Sequence, residues 1–198
     1  MPLAQTDRPP IRVALVDDHP RMLSQLRQEL SQEPDIQIVA EGGSGADLER
    51  IMESNSLDVL VLDLHLPLSP QGDPSLGRFA TITGIRRLLS SRPNVQVVIF
   101  SGETEPYMIS AVLEVGCLGY VVKNDPDNLA PIIRQVAQGQ RYLSKTAQRS
   151  LDTRQSLDEE SHSLSERELD VLWFLARESS YKAADIATAL YISLNTVN

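Results

Sequence analysis

The feature that most limits what this chain can fold into is an alternation. Four runs rich in Val, Ile and Leu, "IRVALV" (11–16), "IQIVAE" (36–41), "LDVLVLD" (57–63) and "VQVVIFS" (95–101), and a shorter fifth, "GYVV" (119–122), are separated by segments with helical rhythm. A nearly continuous apolar run suits a strand covered on both faces, the condition of a parallel sheet. In the intervening segments Met22, Leu23, Leu26 and Leu30 fall on one helical face, as do Leu48, Ile51 and Met52, and again Met108, Ile109, Val112 and Leu113. A helix expected over Asp127–Gln138, with Pro131 in its first turns, closes the series. Five β-α steps joined by right-handed crossovers predict an α/β fold: a doubly wound five-stranded parallel sheet over residues 10–143.

Such a sheet carries its chemistry beyond the carboxyl ends of its strands. Asp17 and Asp18 follow the first run, Asp63 ends the third, Ser101 ends the fourth and Lys123 follows the fifth, so all five are expected at one edge. Singly each is ordinary, since an Asp at a strand end usually caps a helix or faces water. Together, three carboxylates repel one another and become tolerable around a hard divalent cation with oxygen ligands, for which Mg²⁺ is the natural candidate. A carboxylate beside such a cation can attack a phosphoryl group and form an aspartyl phosphate, with the metal and a lysine neutralising the transferred oxygens. Asp63 is the central carboxylate and hence the expected acceptor. His19 and His65 stand close in sequence, but a hard cation prefers oxygen, so neither imidazole is expected as a ligand.

After "GQRYLS" the composition changes. Residues 144–163 are polar with two leucines and read as a linker or an exposed helix. From Leu164 an apolar rhythm resumes through Leu169, Val171, Leu172, Phe174 and Leu175, then Ile186, Ala187 and Leu190, marking a small all-α unit over 164–198. The net charge is -9, and residues 144–198 hold six basic and nine acidic side chains, which argues against broad attraction to nucleic acid. Any DNA contact would have to be local. The lone cysteine, Cys117, excludes an internal disulfide framework, fits a reducing cytoplasm and is expected to pack. No window approaches eighteen apolar residues, so no membrane association is expected.

The stretches "VALVDDHP", "DVLVLDLHLP", "VVIFSGE" and "GCLGYVVKND" resemble the receiver domains of two-component response regulators, over roughly residues 10–143. The last is especially similar to the NarL/FixJ subfamily, and "LSERELDVLWFLA" with "IATALYISLNTV" resembles that subfamily's LuxR-type helix-turn-helix. The resemblance implies a flavodoxin-like receiver followed by a DNA-binding output domain. It implies that Asp63 accepts the phosphoryl group of a partner histidine kinase, and that Asp17, Asp18, Asp63 and the main-chain carbonyl of His65 hold Mg²⁺. Lys123 would pair with the phosphoryl oxygens. Ser101 would hydrogen-bond one of them and move toward it, with the rotamer of Tyr120 following. The surface of the fourth helix, fifth strand and fifth helix would then rearrange, favouring a homodimer that places recognition helices on promoter DNA.

Two departures from the family pattern stand out. The run 68–81, with Pro70, Gly72, Pro74 and Gly77, is longer than usual and is expected as a loop beside the acceptor, either a tolerated insertion or a lid or partner contact. "ARESSYKAADIA" also spaces the first two helices of the terminal unit slightly wider than usual. The closing "YISLNTVN" reads as the start of a recognition helix, capped by Ser193, with Thr196 and Val197 in its first turn. The chain is thus expected to be a shortened form that switches but binds DNA weakly or not at all, its base-reading positions coming later.

Two other readings stay open. The receiver could act by protein contact without DNA, as the acidic tail favours. An aspartate-nucleophile phosphatase would use the same Asp63, but that chemistry typically wants a second acid where His65 stands. A nucleotide-binding fold is weaker, since "DDHPR" replaces the glycines of a first phosphate loop.

Overall fold

A computed structural model describes residues 9–53, 57–67 and 77–158, of which 77–80 and 154–158 are described by their backbone alone. The chain runs β1 (Ile11–Val16), α1 (Pro20–Leu30), β2 (Ile36–Gly42), α2 (Gly45–Glu53), β3 (Val59–Leu62), α3 (Gly77–Ser91), β4 (Gln96–Ser101), α4 (Pro106–Glu114), β5 (Gly119–Val122), α5 (Leu129–Ala137), β6 (Tyr142–Leu143) and α6 (Lys145–Asp158). The strands form one sheet in the order β2-β1-β3-β4-β5-β6, every pair parallel.

The two-residue period of the strands divides the core. Val13, Leu15, Val59, Val61, Val98, Phe100 and Val121 point to one face and pack with Leu26 and Leu30 of α1 and Ile132, Ile133 and Val136 of α5. Their neighbours Ala14, Val16, Leu60, Leu62, Val97, Ile99 and Val122 point to the other, against Leu48 and Ile51 of α2, Ile85 and Leu88 of α3, and Met108 and Val112 of α4. Burial of a side chain such as Leu60, fully enclosed, stabilises the fold by about 1.5–3 kcal/mol relative to leaving it in water. Cys117 is fully buried as well, which pushes its thiol pKa above the usual range.

The order reverses at β1 and β3, whose last residues pair as Val16 and Leu62. That reversal is the switch point at which open α/β sheets hold ligands. β4 and β5 approach closely at Gly119, where an added Cβ would fall 2.8 Å from Val98 Cγ2.

The sheet has six strands where five were expected. After α5, Gly139 turns the chain with φ +77 and Tyr142 N–H donates to the Leu118 carbonyl at 2.9 Å, so Tyr142 and Leu143 join the β5 edge. Two residues are too few to show a strand period. α5 is shorter than Asp127–Gln138 because Asn128 Oδ1 caps it by accepting from Ala130 N–H at 2.9 Å. Residues 77–81 of the expected 68–81 loop belong to α3, whose buried Thr81, Ile82, Ile85 and Leu88 keep a helical face; residues 68–76 lie outside the described residues. The stretch 144–163 is helical over Lys145–Asp158. Its first turns are packed rather than exposed: Ala147 is fully buried and Leu151 is half-buried against the same core. Among the described residues no helix is long and apolar enough to cross a membrane.

Candidate functional site

Backbone pairing continues past the ends of the strands and fixes the polar residues there. Asp17 N–H donates to the Gly42 carbonyl (3.0 Å), Asp63 N–H to the Val16 carbonyl (2.8 Å) and Lys123 N–H to the Ser101 carbonyl (2.9 Å). These bonds bring Asp17, Asp18, Asp63, Ser101 and Lys123 to the carboxyl edge of the sheet. Asp17 and Asp63 are each only 3% exposed, and Ser101 is fully buried.

Lys123 Nζ lies 2.8 Å from Asp63 Oδ2 and 2.7 Å from Asp17 Oδ2. Burial alone would raise the Asp63 pKa, but hydrogen bonding from His65, the charge and hydrogen bond of Lys123 and a hydrogen bond from Ser101 outweigh it, so the carboxyl is held well below the usual carboxylate range. Burial opposes the charge of Lys123 in turn, and the carboxylates of Asp63 and Asp17 override it and raise its pKa. Around neutrality the site therefore presents an ionised carboxylate beside an ammonium. The Lys123 ammonium also stands 5.9 Å from the centre of the Phe100 ring.

One ammonium does not balance three carboxylates. Asp17 Oδ2 and Asp18 Oδ1 are buried yet find no hydrogen-bond donor in line among the described residues, although Lys123 touches the first. Asp17, Asp18, His19 and Asp63 each offer one ligand atom, all within 4.8 Å of one another. An acidic oxygen-rich cluster of this size fits a divalent cation. His19, set aside as a ligand on chemical grounds, sits beside Asp18 with its Nδ1 2.7 Å from Oδ1, and its side chain is 67% exposed.

The rest of the expected set is also here. His65 N–H donates to Asp63 Oδ1 at 3.3 Å, keeping its main chain beside Asp63, while its Nδ1 is 3.4 Å from Ser101 Oγ. Tyr120 is fully buried and its hydroxyl donates to the Glu103 carbonyl at 3.0 Å. Thr196, Val197 and the whole helix-turn-helix stretch 164–198 lie outside the described residues.

Two contributors had not been singled out from the sequence. Glu103 Oε2 reaches to 3.6 Å from His65 Nε2, and its own N–H donates to Ser101 Oγ at 3.4 Å; nothing in "SGE" marks that role. The loop after β2, "GGSG", passes within 3.6 Å of the Asp17 carbonyl at the Cβ position of Gly43, and Gly45 N–H donates to the Pro67 carbonyl at 2.8 Å. Its cluster of glycines was the available signal: at Gly42 an added Cβ would fall 2.5 Å from Asp47 Cβ, so only a side-chain-free backbone fits there. Asp47 N–H then donates to Ser44 Oγ at 3.2 Å, while the Asp47 carboxylate accepts from the Ser44 hydroxyl at 2.8 Å and from Gly43 N–H at 3.0 Å, capping α2.

Comparison with known proteins agrees with this geometry. Residues 13–134 match the family model for the response regulator receiver domain. The chain is 33% identical over 192 residues to the nitrate/nitrite response regulator protein NarP of Escherichia coli K12, covering 95% of this chain and 84% of that protein. It is 28% identical over 193 residues to the E. coli K12 response regulator UvrY, covering 95% and 83%. Among solved structures it resembles RcsB of Salmonella enterica serovar Typhimurium bound to the promoter rprA with the phosphomimetic BeF3- (25% identity, TM-score 0.66, 94% of this chain and 86% of that one). It also resembles the isolated RcsB REC domain with BeF3- (26%, TM-score 0.62, 72% and 99%). On these grounds the chain belongs to the response regulators, and within them to the NarL/FixJ type of two-component transcription regulators.

Proposed function

We propose that Asp63 is the phosphoacceptor of this regulator and that its phosphorylation by a histidine kinase controls a DNA-binding output carried by residues 164–198. The observation that supports this is the imbalance around Asp63: an ionised carboxylate touched by Lys123 at 2.8 Å, with the carboxylates of Asp17 and Asp18 beside it and that one ammonium shared between Asp63 and Asp17. In the transfer, a carboxylate oxygen of Asp63 forms a bond to phosphorus as the bond from phosphorus to the donor histidine nitrogen breaks, so the phosphoryl group moves intact. Lys123, already on the carboxylate, pairs with a phosphoryl oxygen. Asp17, Asp18, Asp63 and the main-chain carbonyl of His65 would hold Mg²⁺, which would supply positive charge to offset the added anion. Ser101 hydrogen-bonds a phosphoryl oxygen, and Tyr120 gives up its hydrogen bond to Glu103 as the surface rearranges.

Phosphorylation then favours a homodimer, in the cytoplasm, that places complete output domains on promoter DNA, with DNA binding by residues 1–198 alone weak or absent. The relative RcsB is described bound to promoter DNA with a phosphomimetic present, which supports that direction. The acidic balance of 144–198 supports a second reading, in which the receiver acts through protein contact. Incubation with acetyl phosphate and Mg²⁺ is expected to add one phosphate to the wild type and none to Asp63→Asn, read by intact mass. A wild type that stays unmodified would overturn the acceptor assignment. Salt-dependent binding to promoter fragments by a chain extended beyond Asn198 separates the two outputs, since only the first predicts it.

A further inference from the structure

Lys123 occupies a tight turn whose two ends are both fastened to the start of α6. The turn closes with Asp125 N–H donating to the Val122 carbonyl at 2.9 Å. Val122 N–H, immediately before the lysine, donates to Ser144 Oγ at 3.1 Å. Beyond the lysine, the Asp125 carboxylate accepts from Thr146 N–H at 3.0 Å with one oxygen and from the Thr146 hydroxyl at 2.6 Å with the other. A carboxylate placed on the first amides of a helix satisfies otherwise orphaned donors and meets the positive end of the helix dipole.

The same helix is tied to Tyr120. Ser144 N–H donates to the Tyr120 carbonyl at 2.9 Å, while the Tyr120 hydroxyl holds the Glu103 carbonyl at the start of the loop before α4. Ser144 and Ala147 are fully buried, and α6 lies against α4 and β5. The segment after β6 is therefore no loose tether. It rests on α4 and β5 and is pinned to the turn that holds Lys123.

We propose that α6 carries the phosphorylation state of the receiver to the C-terminal part of the chain, with Asp125 as the positioning residue that couples the Lys123 turn to the N-terminus of α6. This rests on Asp63 being the acceptor. Lys123 now divides its contacts between Asp17 and Asp63; a phosphoryl oxygen draws it away from that arrangement, and the turn cannot shift without pulling on Ser144 and Thr146. Signal then leaves through a few short hydrogen bonds rather than by diffusion of a detached domain.

The test uses the full 198-residue chain, acetyl phosphate with Mg²⁺, intact mass and amide hydrogen exchange over 145–158. In the wild type, phosphorylation is expected to change exchange in this segment several-fold. Asp125→Ala is expected to take up phosphate as the wild type does yet lose that phosphorylation-dependent change, and Asp125→Asn, which keeps one acceptor oxygen, to restore part of it. A purely structural cap would raise exchange equally in both states. Should Asp125→Ala fail to fold, Thr146→Val removes only the hydroxyl contact and is expected to weaken the response. Equal exchange in the phosphorylated and unphosphorylated wild type, or a full response in Asp125→Ala, would overturn the proposal. No phosphate uptake by the wild type would instead overturn the acceptor assignment beneath it.

Discussion

The same two strands end in opposite ways. At the amino end of β1 and β3, Arg12 meets Asp58 through its backbone N–H (2.8 Å), Nε (2.9 Å) and Nη2 (2.7 Å), so one cation answers one anion and both carboxylate oxygens are used. Five residues on along each strand, Asp17 and Asp63 share a single Lys123, with Asp18 beside them, so three carboxylates crowd one ammonium. One end is closed by its own pairing. The other is left electrostatically incomplete, and that deficit, rather than the presence of charge, marks where a phosphoryl group and a cation would be received.

The largest effect that could break this contrast is at Asp63: Asp63→Asn should abolish phosphoryl uptake, whereas Asp58→Asn should leave it intact, by intact mass. Next, Lys123→Ala should slow uptake from acetyl phosphate roughly 100-fold, the loss of one donor to developing negative charge, read by rapid-quench kinetics. Metal dependence sharpens the comparison further. Saturating Mg²⁺ should raise the melting temperature of the wild type, by a free energy of about 2.7 kcal/mol at a hundred times Kd, and chelation should reverse the rise. Asp17→Asn should lose that rise and melt higher than the wild type in chelator, because like charges are relieved; Arg12→Ala should melt lower in both conditions and keep the rise. Gly119→Ala, at the start of β5, should cost about 1–3 kcal/mol by crowding Val98, measured by urea unfolding, with the site chemistry preserved.

The smallest effect is in pH. Hydrogen bonding from Arg12 outweighs burial and lowers the Asp58 pKa from its ordinary 3.8. A depressed carboxylate pKa stabilises the fold above the unfolded value and loses that contribution as pH falls through the folded one. The melting difference between the wild type and Arg12→Ala should therefore be constant from neutrality down to about pH 4 and narrow below it. A gap that instead widened in acid would mean the pair does not act as its geometry indicates.

The carboxyl edge was legible in the sequence because a parallel sheet imposes it. Once "VALVDD", "LVLD", "VIFS" and "YVVK" are read as strands, their polar last residues have one place to go. What escaped lacked a period to betray it. β6 is two residues long, and α6 docks chiefly through Ala147 and Leu151, too sparse a pattern to distinguish from a solvated helix. Glu103 and Asp125 reach their partners only through tertiary placement, one on His65 and the other on Thr146 twenty-one residues later. The beginning of α3 was hidden by Pro70, Gly72, Pro74 and Gly77, which announce turns up to the point where Ile82, Ile85 and Leu88 take over.

The short β6 carries a consequence for how this chain survives among its own copies. β5 is buried along its whole length, and without Tyr142 and Leu143 its outer backbone groups would stand as a bare apolar edge. Such an edge recruits strands from other molecules. A receiver cut before Tyr142 is expected to bare that edge and to associate with its own copies, so a strand of only two residues guards the domain against pairing with itself.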